Sequence, residues 1–398
     1  MKNRVLALIL TIVLTLSMVA MFSSCGKTNY AENNTKIKIG LSGPLTGGAA
    51  MYGIAVQNSA KLAVEEINAK GGLNGILFEV EMLDDKHDAN NISTNYAALY
   101  EGGMQVSLGT VTTKPGLEFK GYANADKVFF LTPSATGDDI PEFANGYQMC
   151  FADSDQGTAS AGVFNTEYKG KKVGVFFKAD DDYSVGIKDN FIKALDKSFG
   201  DVVLASFTDA TASSFTQQVS ELKDCDVIFM PIYYTPASQF MNAGKNVIKS
   251  NAIYYGCDGL DGIDAIEGFD IGSIPQEVSY LSHFDSNATT GAAAELIKKY
   301  NETFDEETTP LNQFGAAAYD CVYAIYEALK EAVNEGKKID GSTSAFELCE
   351  ILKAKFTGDF VFHGVTGKPE TDGKSNISWT ADGFVNKEAV KYIVKEAN

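Results

Sequence analysis

The sequence predicts an α/β protein of two lobes, each a parallel-type, Rossmann-like sheet flanked by helices. Three observations predict it. Short apolar runs alternate with helical periods along nearly the whole chain. The alternation restarts near Val173, so one series of βα units is followed by a second. The length, 398 residues with 45% hydrophobic and 21% charged, suffices for two or three buried cores at ~100–200 residues per domain.

The N-terminus comes first. Lys2 and Arg4 precede an apolar stretch over residues 5–22, and Ser23, Ser24 and Cys25 follow. A charged start, an apolar core and small residues before a cut site make a secretory signal peptide. The cysteine at the cut resembles the bacterial lipobox, which implies lipid on Cys25, although Phe22 stands where Leu is usual. An uncleaved membrane anchor is the other reading of so long a run. Residues 26–34 (GKTNYAENN) are polar and aperiodic, as a tether is.

From residue 37 the elements follow in order. Residues 37–41 read as a strand and residues 43–48 as a glycine-rich turn. Ala60, Ala63, Val64 and Ile67 recur at helical spacing until Gly71 and Gly72 stop them. Residues 78–83 are a strand, 91–100 a helix, and 106–108 and 128–131 strands that end in hydroxyl-rich loops. The second series reads strand 173–177, helix 187–195, strand 202–207, helix 215–222, and strands 227–230 and 253–255. Repeated βα units argue for parallel sheets covered on both faces. Three helices, 292–300, 314–332 and 345–354, then come in succession. They need a sheet to cover, so the chain is expected back at the first lobe. Hairpin signals follow over residues 358–383.

Composition excludes several chemistries. The 33 basic and 52 acidic residues give a net charge of −19. Loss of residues 1–24 removes two basic residues and no acid, leaving −21. Such a chain repels phosphate backbones, so nucleic acid is not an expected partner. Arg4 is the only arginine, so a bound carboxylate must be held by hydroxyls, backbone N–H groups or lysine. Beyond Cys25, Cys150, Cys225, Cys257, Cys321 and Cys349 show neither metal-ligand spacing nor a disulfide framework. HExxH, P-loop, GxSxG and GxGxxG patterns are absent, and no metal or cofactor is expected. Asp180, Asp181 and Asp182 read as a solvated acidic loop, and Asp84 and Asp85 as caps after a strand.

What remains are loops at the C-terminal ends of strands, where open α/β sheets bind ligands. The first series offers residues 46–53 with Tyr52, residues 109–113 with Val111, Thr112 and Thr113, and residues 132–136 with Ser134, Ala135 and Thr136. The second offers Tyr183, Tyr233, Tyr234 and the run Gly256, Cys257, Asp258, Gly259. One rim carries hydroxyls; the other carries aromatics and a carboxylate. As a matched set they read as two walls of a cleft. A zwitterion needs a negative partner for its ammonium and donors for its carboxylate, and hydroxyls with helix N-termini supply donors without arginine. No nucleophile–base pair stands beside them, so the expected activity is binding, not catalysis.

With these blocks in their order, the chain resembles the leucine/isoleucine/valine-binding family of solute receptors of ABC importers, over about residues 37–394. The matching blocks are Ile37 to Gly40 through Gly43, Thr46-Gly47, Tyr52-Gly53, residues 67–72, residues 132–136, residues 182–186, Tyr233, residues 256–259, and Ala318-Tyr319-Asp320. The resemblance implies the type I periplasmic-binding-protein fold, two lobes joined by three hinge crossings near residues 152–156, 283–286 and 357–364. It divides the chain into a leader (1–24), a lipidated Cys and tether (25–35), a first lobe (36–153 with 285–357) and a second (154–284 with 358–398). It further implies carboxylate-holding positions at Thr113, Ser134, Ala135 and Thr136, an ammonium partner at Asp258 with Tyr233 beside it, and side-chain pocket positions at Tyr52, Val111, Thr112, Tyr183 and Phe314. Two departures stand out. A disulfide of some amino-acid receptors falls on His87 and Thr112, so it is absent here. The ammonium-binding acid, often Glu in branched-chain receptors, is the shorter Asp258.

The expected function is therefore a lipid-anchored, extracytoplasmic and monomeric receptor that binds a neutral, branched-chain amino acid and delivers it to ABC permease subunits. The alternatives are the same fold binding an amide, urea or an aromatic acid, or a ligand-sensing domain. An extracellular hydrolase is disfavoured by the missing motifs.

Overall fold

Five parallel strands make the first sheet: β1 (Lys36–Gly43), β2 (Leu77–Asp84), β3 (Val106–Thr110), β4 (Phe129–Thr132) and β5 (Gly146–Gln148), in the order β2-β1-β3-β4-β5. The structure is a computed structural model that describes residues 36–305, 308–368, 370 and 373–397. The leader, Cys25 and the tether lie outside the described residues. Strands β3 and β4 are buried at every position, as a sheet covered on both faces requires. Helices α1 (Ala50–Ala69), α2 (Ile92–Glu101) and α3 (Thr113–Asp126) provide cover. Ala60, Ala63, Val64 and Ile67, the stripe read from sequence, are all buried.

After β5 the chain enters α4 (Asp153–Glu167) and a second series: β6 (Val173–Lys178), α5 (Asp182–Ala194), β7 (Val203–Phe207), α6 (Thr216–Leu222), β8 (Val227–Met230), α7 (Tyr234–Gly244), β9 (Ile253–Gly256) and β10 (Glu277–Ser282). It then returns to the first sheet through α8 (Gly291–Thr303), α9 (Gln313–Asn334) and α10 (Ala345–Phe356). Helix α9 packs along α1, and α10 lies on β3 and β4. A short antiparallel sheet of β11 (Phe362–Gly364), β12 (Ser375–Trp379) and β13 (Val385–Asn386) follows. The final strand, β14 (Val390–Lys395), joins the second sheet, whose order is β14-β10-β9-β8-β6-β7. Only β14 runs antiparallel there.

Contacts gather Thr35–Asn398 into one compact unit. Phe164, Phe191, Phe229 and Tyr255 fill one face of the second sheet, and Tyr96, Phe119 and Phe130 the outer face of the first. A third core runs from Ile39 and Leu41 through Tyr52, Tyr234 and Phe314 to Ile228 and Met230, joining the two sheets.

The segment 358–398, which the resemblance places in the second lobe, also makes contacts with the first sheet. Trp379 stacks on Phe360 and packs on Phe356 of α10, and its indole N–H donates to the Gln148 carbonyl at 2.7 Å. The Gln148 N–H donates to the Gly383 carbonyl at 3.0 Å. Through these contacts the short sheet packs against the edge strand β5 of the first sheet, while β14 pairs with β10 in the second. Asp320, from the last resemblance block, takes the Val365 and Thr366 N–H groups at 2.9 Å each and the Thr366 hydroxyl at 2.6 Å. Its carboxylate pins this segment to α9.

Candidate functional site

The loops that follow the strands meet between the two sheets. Tyr52 lies in the first turn of α1. The following Gly53 lets that helix approach the loop after β1, since a Cβ there would stand 1.8 Å from the Pro44 carbonyl oxygen. Only glycine allows that approach, which sets where the Tyr52 ring enters. The ring packs edge-on against Tyr234 at 4.8 Å and against Phe314 at 4.7 Å. Phe314 is fixed in turn by Asn312, whose side chain caps α9 by accepting from the Phe314 and Gly315 N–H groups. The Tyr52 hydroxyl donates to the Gly259 carbonyl at 2.5 Å, while the Tyr234 N–H donates to it at 3.3 Å. One phenol therefore ties the walls together. Thr235 adds a second tie, its hydroxyl donating to the Gly48 carbonyl at 2.7 Å.

A narrow, largely enclosed space of about 10 Å³ lies between the walls, lined by Tyr52, Val111, Thr112, Ser134, Tyr183, Tyr233, Asp258, Gly259 and Phe314. Eight of these are positions named from the sequence; Gly259 is the addition. Gly259 ends the run Gly256, Cys257, Asp258, Gly259, and its contact role follows from geometry. A Cβ at that position would stand 2.5 Å from the Tyr183 hydroxyl and 2.7 Å from the Ile232 carbonyl oxygen.

Three expected positions lie behind the lining. The Thr113 hydroxyl accepts from the Gly137 N–H at 3.2 Å and sits 3.4 Å from the Thr136 hydroxyl. Ala135 is fully buried, and its carbonyl accepts from the Gln148 amide at 2.9 Å. The Thr136 carbonyl accepts from the Asp153 N–H at 2.8 Å. These three brace the hydroxyl loop. Within the lining, the Ser134 hydroxyl donates to the Val111 carbonyl at 2.6 Å.

The opposite wall centres on Asp258, 1% exposed. The Tyr183 hydroxyl donates to its Oδ1 at 2.5 Å and accepts from the Gly259 N–H at 2.9 Å. The Tyr183 and Tyr233 rings stack at 4.7 Å. No lysine forms an ion pair with Asp258 among the described residues. Asp153 and Asp261, both buried, are further acids nearby. Burial lifts the Asp258 carboxyl to about 7, against the lowering pull of the Tyr183 hydrogen bond. Burial likewise lifts Asp261 to about 6, and the Asp153 carboxyl well above its ordinary range. A buried acid of this kind favours whatever brings it a positive charge.

His87 and Thr112, where a disulfide falls in some family members, are brought together here by a hydrogen bond: His87 Nδ1 is 2.9 Å from Thr112 Oγ1. The acidic loop differs from expectation. Asp180 and Asp182 are exposed, but Asp181 is 3% exposed and caps α5 by accepting from the Ser184 N–H. Helix capping, with its demand for a side-chain acceptor, outranks solvation at that position. Asp84 and Asp85 do not cap the next element, whose first turn is capped by Asp88 accepting from the Asn90 N–H; they brace the surrounding loops instead. Asp84 accepts from the Leu45 N–H and the Thr46 hydroxyl, and Asp85 from the Ser42 hydroxyl and the His87 N–H. The five cysteines of the described residues are buried and free.

A family model described as periplasmic binding protein matches residues 36–373. The Leu/Ile/Val-binding protein BraC3 of Rhizobium johnstonii is 26% identical over 357 residues, covering 88% of this chain and 94% of that protein. Among solved structures, the leucine binding protein LivK of Thermotoga maritima superposes with a TM-score of 0.75 at 23% identity, over 91% of this chain and 96% of that one. A solute binding protein from R. palustris in complex with benzoate superposes with a TM-score of 0.74 at 17% identity, over 91% and 94%. The last two likenesses concern the fold.

Proposed function

The chain belongs to the periplasmic binding protein family, and on that premise we propose that it is the receptor of an ABC importer for a neutral, branched-chain amino acid. The observation that carries this reading is the buried Asp258, without a cation of its own, facing a wall of hydroxyls across an enclosed space. The ligand's ammonium pairs with Asp258. Its carboxylate lies against Ser134 and the N–H groups of the loops that Thr113, Ala135 and Thr136 brace. Its side chain meets Tyr52, Val111, Tyr233 and Phe314, an aromatic and aliphatic surface suited to a branched alkyl group. Two lobes hinged by the passages between the sheets close on it, as binding proteins of this architecture do, and the closed form docks on the permease. The receptor is read as a monomer, held at the membrane by lipid on Cys25. Its expected consequence is direct: Cys25→Ala should release the protein from the membrane fraction, and retention with lipid label would refute the anchor.

A thermal-shift screen tests the ligand. L-leucine, L-isoleucine and L-valine should raise the melting temperature, because ligand at ~100 times Kd adds about 2.7 kcal/mol to stability. Benzoate, urea and acetamide should leave it unchanged. A shift with benzoate alone would replace this reading with that of an aromatic-acid receptor, since such a ligand brings no charge for Asp258.

A further inference from the structure

We propose that His87 is a positioning residue of this cleft: it holds the Thr112 hydroxyl away from the N-terminus of α3 and so leaves that turn's N–H groups to the ligand's carboxylate. The inference rests on the amino-acid reading above.

Thr112 stands directly before α3 with φ −120° and ψ 153°, the extended backbone of an N-cap. Threonine in that place ordinarily turns its hydroxyl onto the N–H of the second or third helical residue. Here it makes no capping bond. The third helical residue is Pro115, which has no N–H, so Lys114 carries the one donor a cap could reach. Thr112 Oγ1 instead lies 2.9 Å from His87 Nδ1, although Thr112 lines the enclosed space opposite Asp258.

The ring is placed with some effort. Lys86 and His87 both take left-handed backbone, with φ of 57° and 61°, a conformation few non-glycine residues adopt. The His87 N–H donates to Asp85 Oδ1 at 2.9 Å, and Asp85 is itself anchored by the Ser42 hydroxyl. The ring meets Tyr233 of the other wall edge-on at 5.1 Å. Burial, with Lys178 and Lys114 adding to it, pushes the imidazole down to about 4, so the ring is neutral and Nδ1 can accept the Thr112 proton. With its oxygen turned to His87, the hydroxyl lies off the α3 N–H groups, and in the tautomer whose Nδ1 accepts its proton it does not donate to the ligand either. Its removal should therefore matter little, whereas its release should compete with the ligand for Lys114.

Calorimetry on the parent and four variants tests this, with L-leucine, L-isoleucine, L-valine and benzoate as probes, all of which carry a carboxylate. For the tightest-binding probe, His87→Ala should weaken binding by about ten- to a hundredfold, the range of one lost hydrogen bond to a charge. Thr112→Val should cost less than about threefold, and the double variant should return to within about threefold of Thr112→Val. That rescue is not expected of a merely structural histidine. His87→Asn, which suits left-handed backbone but is too short to reach Thr112, should repeat the alanine result if the latter variant folds poorly. Unchanged binding by both His87 variants, or a double variant as weak as His87→Ala, overturns the inference and leaves the amino-acid reading standing. A parent protein that binds none of the four probes overturns both.

Discussion

The two walls of the cleft hold polar groups in opposite ways. On the first, Ser134 is bonded to the Val111 carbonyl, Thr112 to His87, and Thr113 to the Gly137 N–H. All are neutral, and several share one task. On the second, a single carboxylate, Asp258, carries the charge, met by the Tyr183 phenol instead of a cation. The first wall is distributed and the second concentrated, so they should fail differently under substitution. A lost hydroxyl leaves neighbours to compensate; a lost Asp258 leaves the ligand's ammonium buried and alone.

The largest effect expected is that of Asp258→Ala. Removing one partner of a buried, hydrogen-bonded charge pair costs ~2–5 kcal/mol, about 30- to 5,000-fold in affinity. Calorimetry with the best amino acid from the screen reads it. Parent-like binding would mean that the second wall is no more concentrated than the first.

pH sharpens the same contrast. Asp258 holds its proton up to about 7, whereas an unfolded aspartate releases it near ~3.9. Ammonium binding needs the ionised form, so affinity should fall by about tenfold per pH unit below 7. The ligand-free fold behaves in the opposite sense. Between the two values the folded state binds more protons, so the contribution of Asp258 to stability shrinks as pH rises through that window. Asp258→Asn should flatten both profiles. Tyr183→Phe should move the affinity midpoint upward, because the phenol's hydrogen bond lowers the Asp258 carboxyl. An affinity profile flat from pH 5 to 8 in the parent would break the comparison.

On the distributed wall, Ser134→Ala should cost about 0.5–1.5 kcal/mol, the net worth of one hydrogen bond. Thr136→Ala, behind the lining, should cost no more than Ser134→Ala. A loss at either position as large as that of Asp258→Ala would show the first wall to be concentrated too.

The same contrast governs how much the sequence discloses. The strands are legible because burial on both faces writes apolar runs, as at residues 173–177. Helix α4 is not legible: its buried face carries Gln156, Gly157, Ser160 and Ala161, polar or small residues without an apolar period. Glycine explains that face, since a Cβ at Gly157 would stand 2.6 Å from the Ile187 carbonyl oxygen of α5. After Thr113, the first turn of α3 holds Lys114, Pro115 and Gly116, which reads as a turn, yet proline is well suited to a helix's first turn. At the site, seven of the lining residues lie in loops read from residue type and order, and Phe314 is placed there by the resemblance alone. The roles of Thr113 and Thr136 as braces do not, because a hydroxyl one residue from a cavity and one lining it look alike in sequence. The burial of Asp181 is hidden in the same way by its two exposed neighbours.

Asp180 and Asp181 supply the smallest effects and the control for all the others. Both are acids of the second series, on the loop before α5 that supplies Tyr183, but neither lines the enclosed space. If affinity answered only to total charge, Asp180→Ala would weaken binding as a milder copy of Asp258→Ala. Asp180 is exposed and, among the described residues, accepts the Asp209 N–H at 3.0 Å, so screening by water leaves it little influence on a buried ammonium. Its removal should change Kd by less than about twofold, within the range of a surface substitution. Asp181→Ala separates stability from binding: loss of the α5 cap should lower stability by about 1 kcal/mol. Any change in Kd should stay small, because Tyr183 is held mainly by its own bonds to Asp258 and Gly259. Calorimetry paired with thermal melts reads both. A tenfold loss of affinity on removing Asp180 would move the decisive charge from one buried carboxylate to the field of the whole acidic lobe.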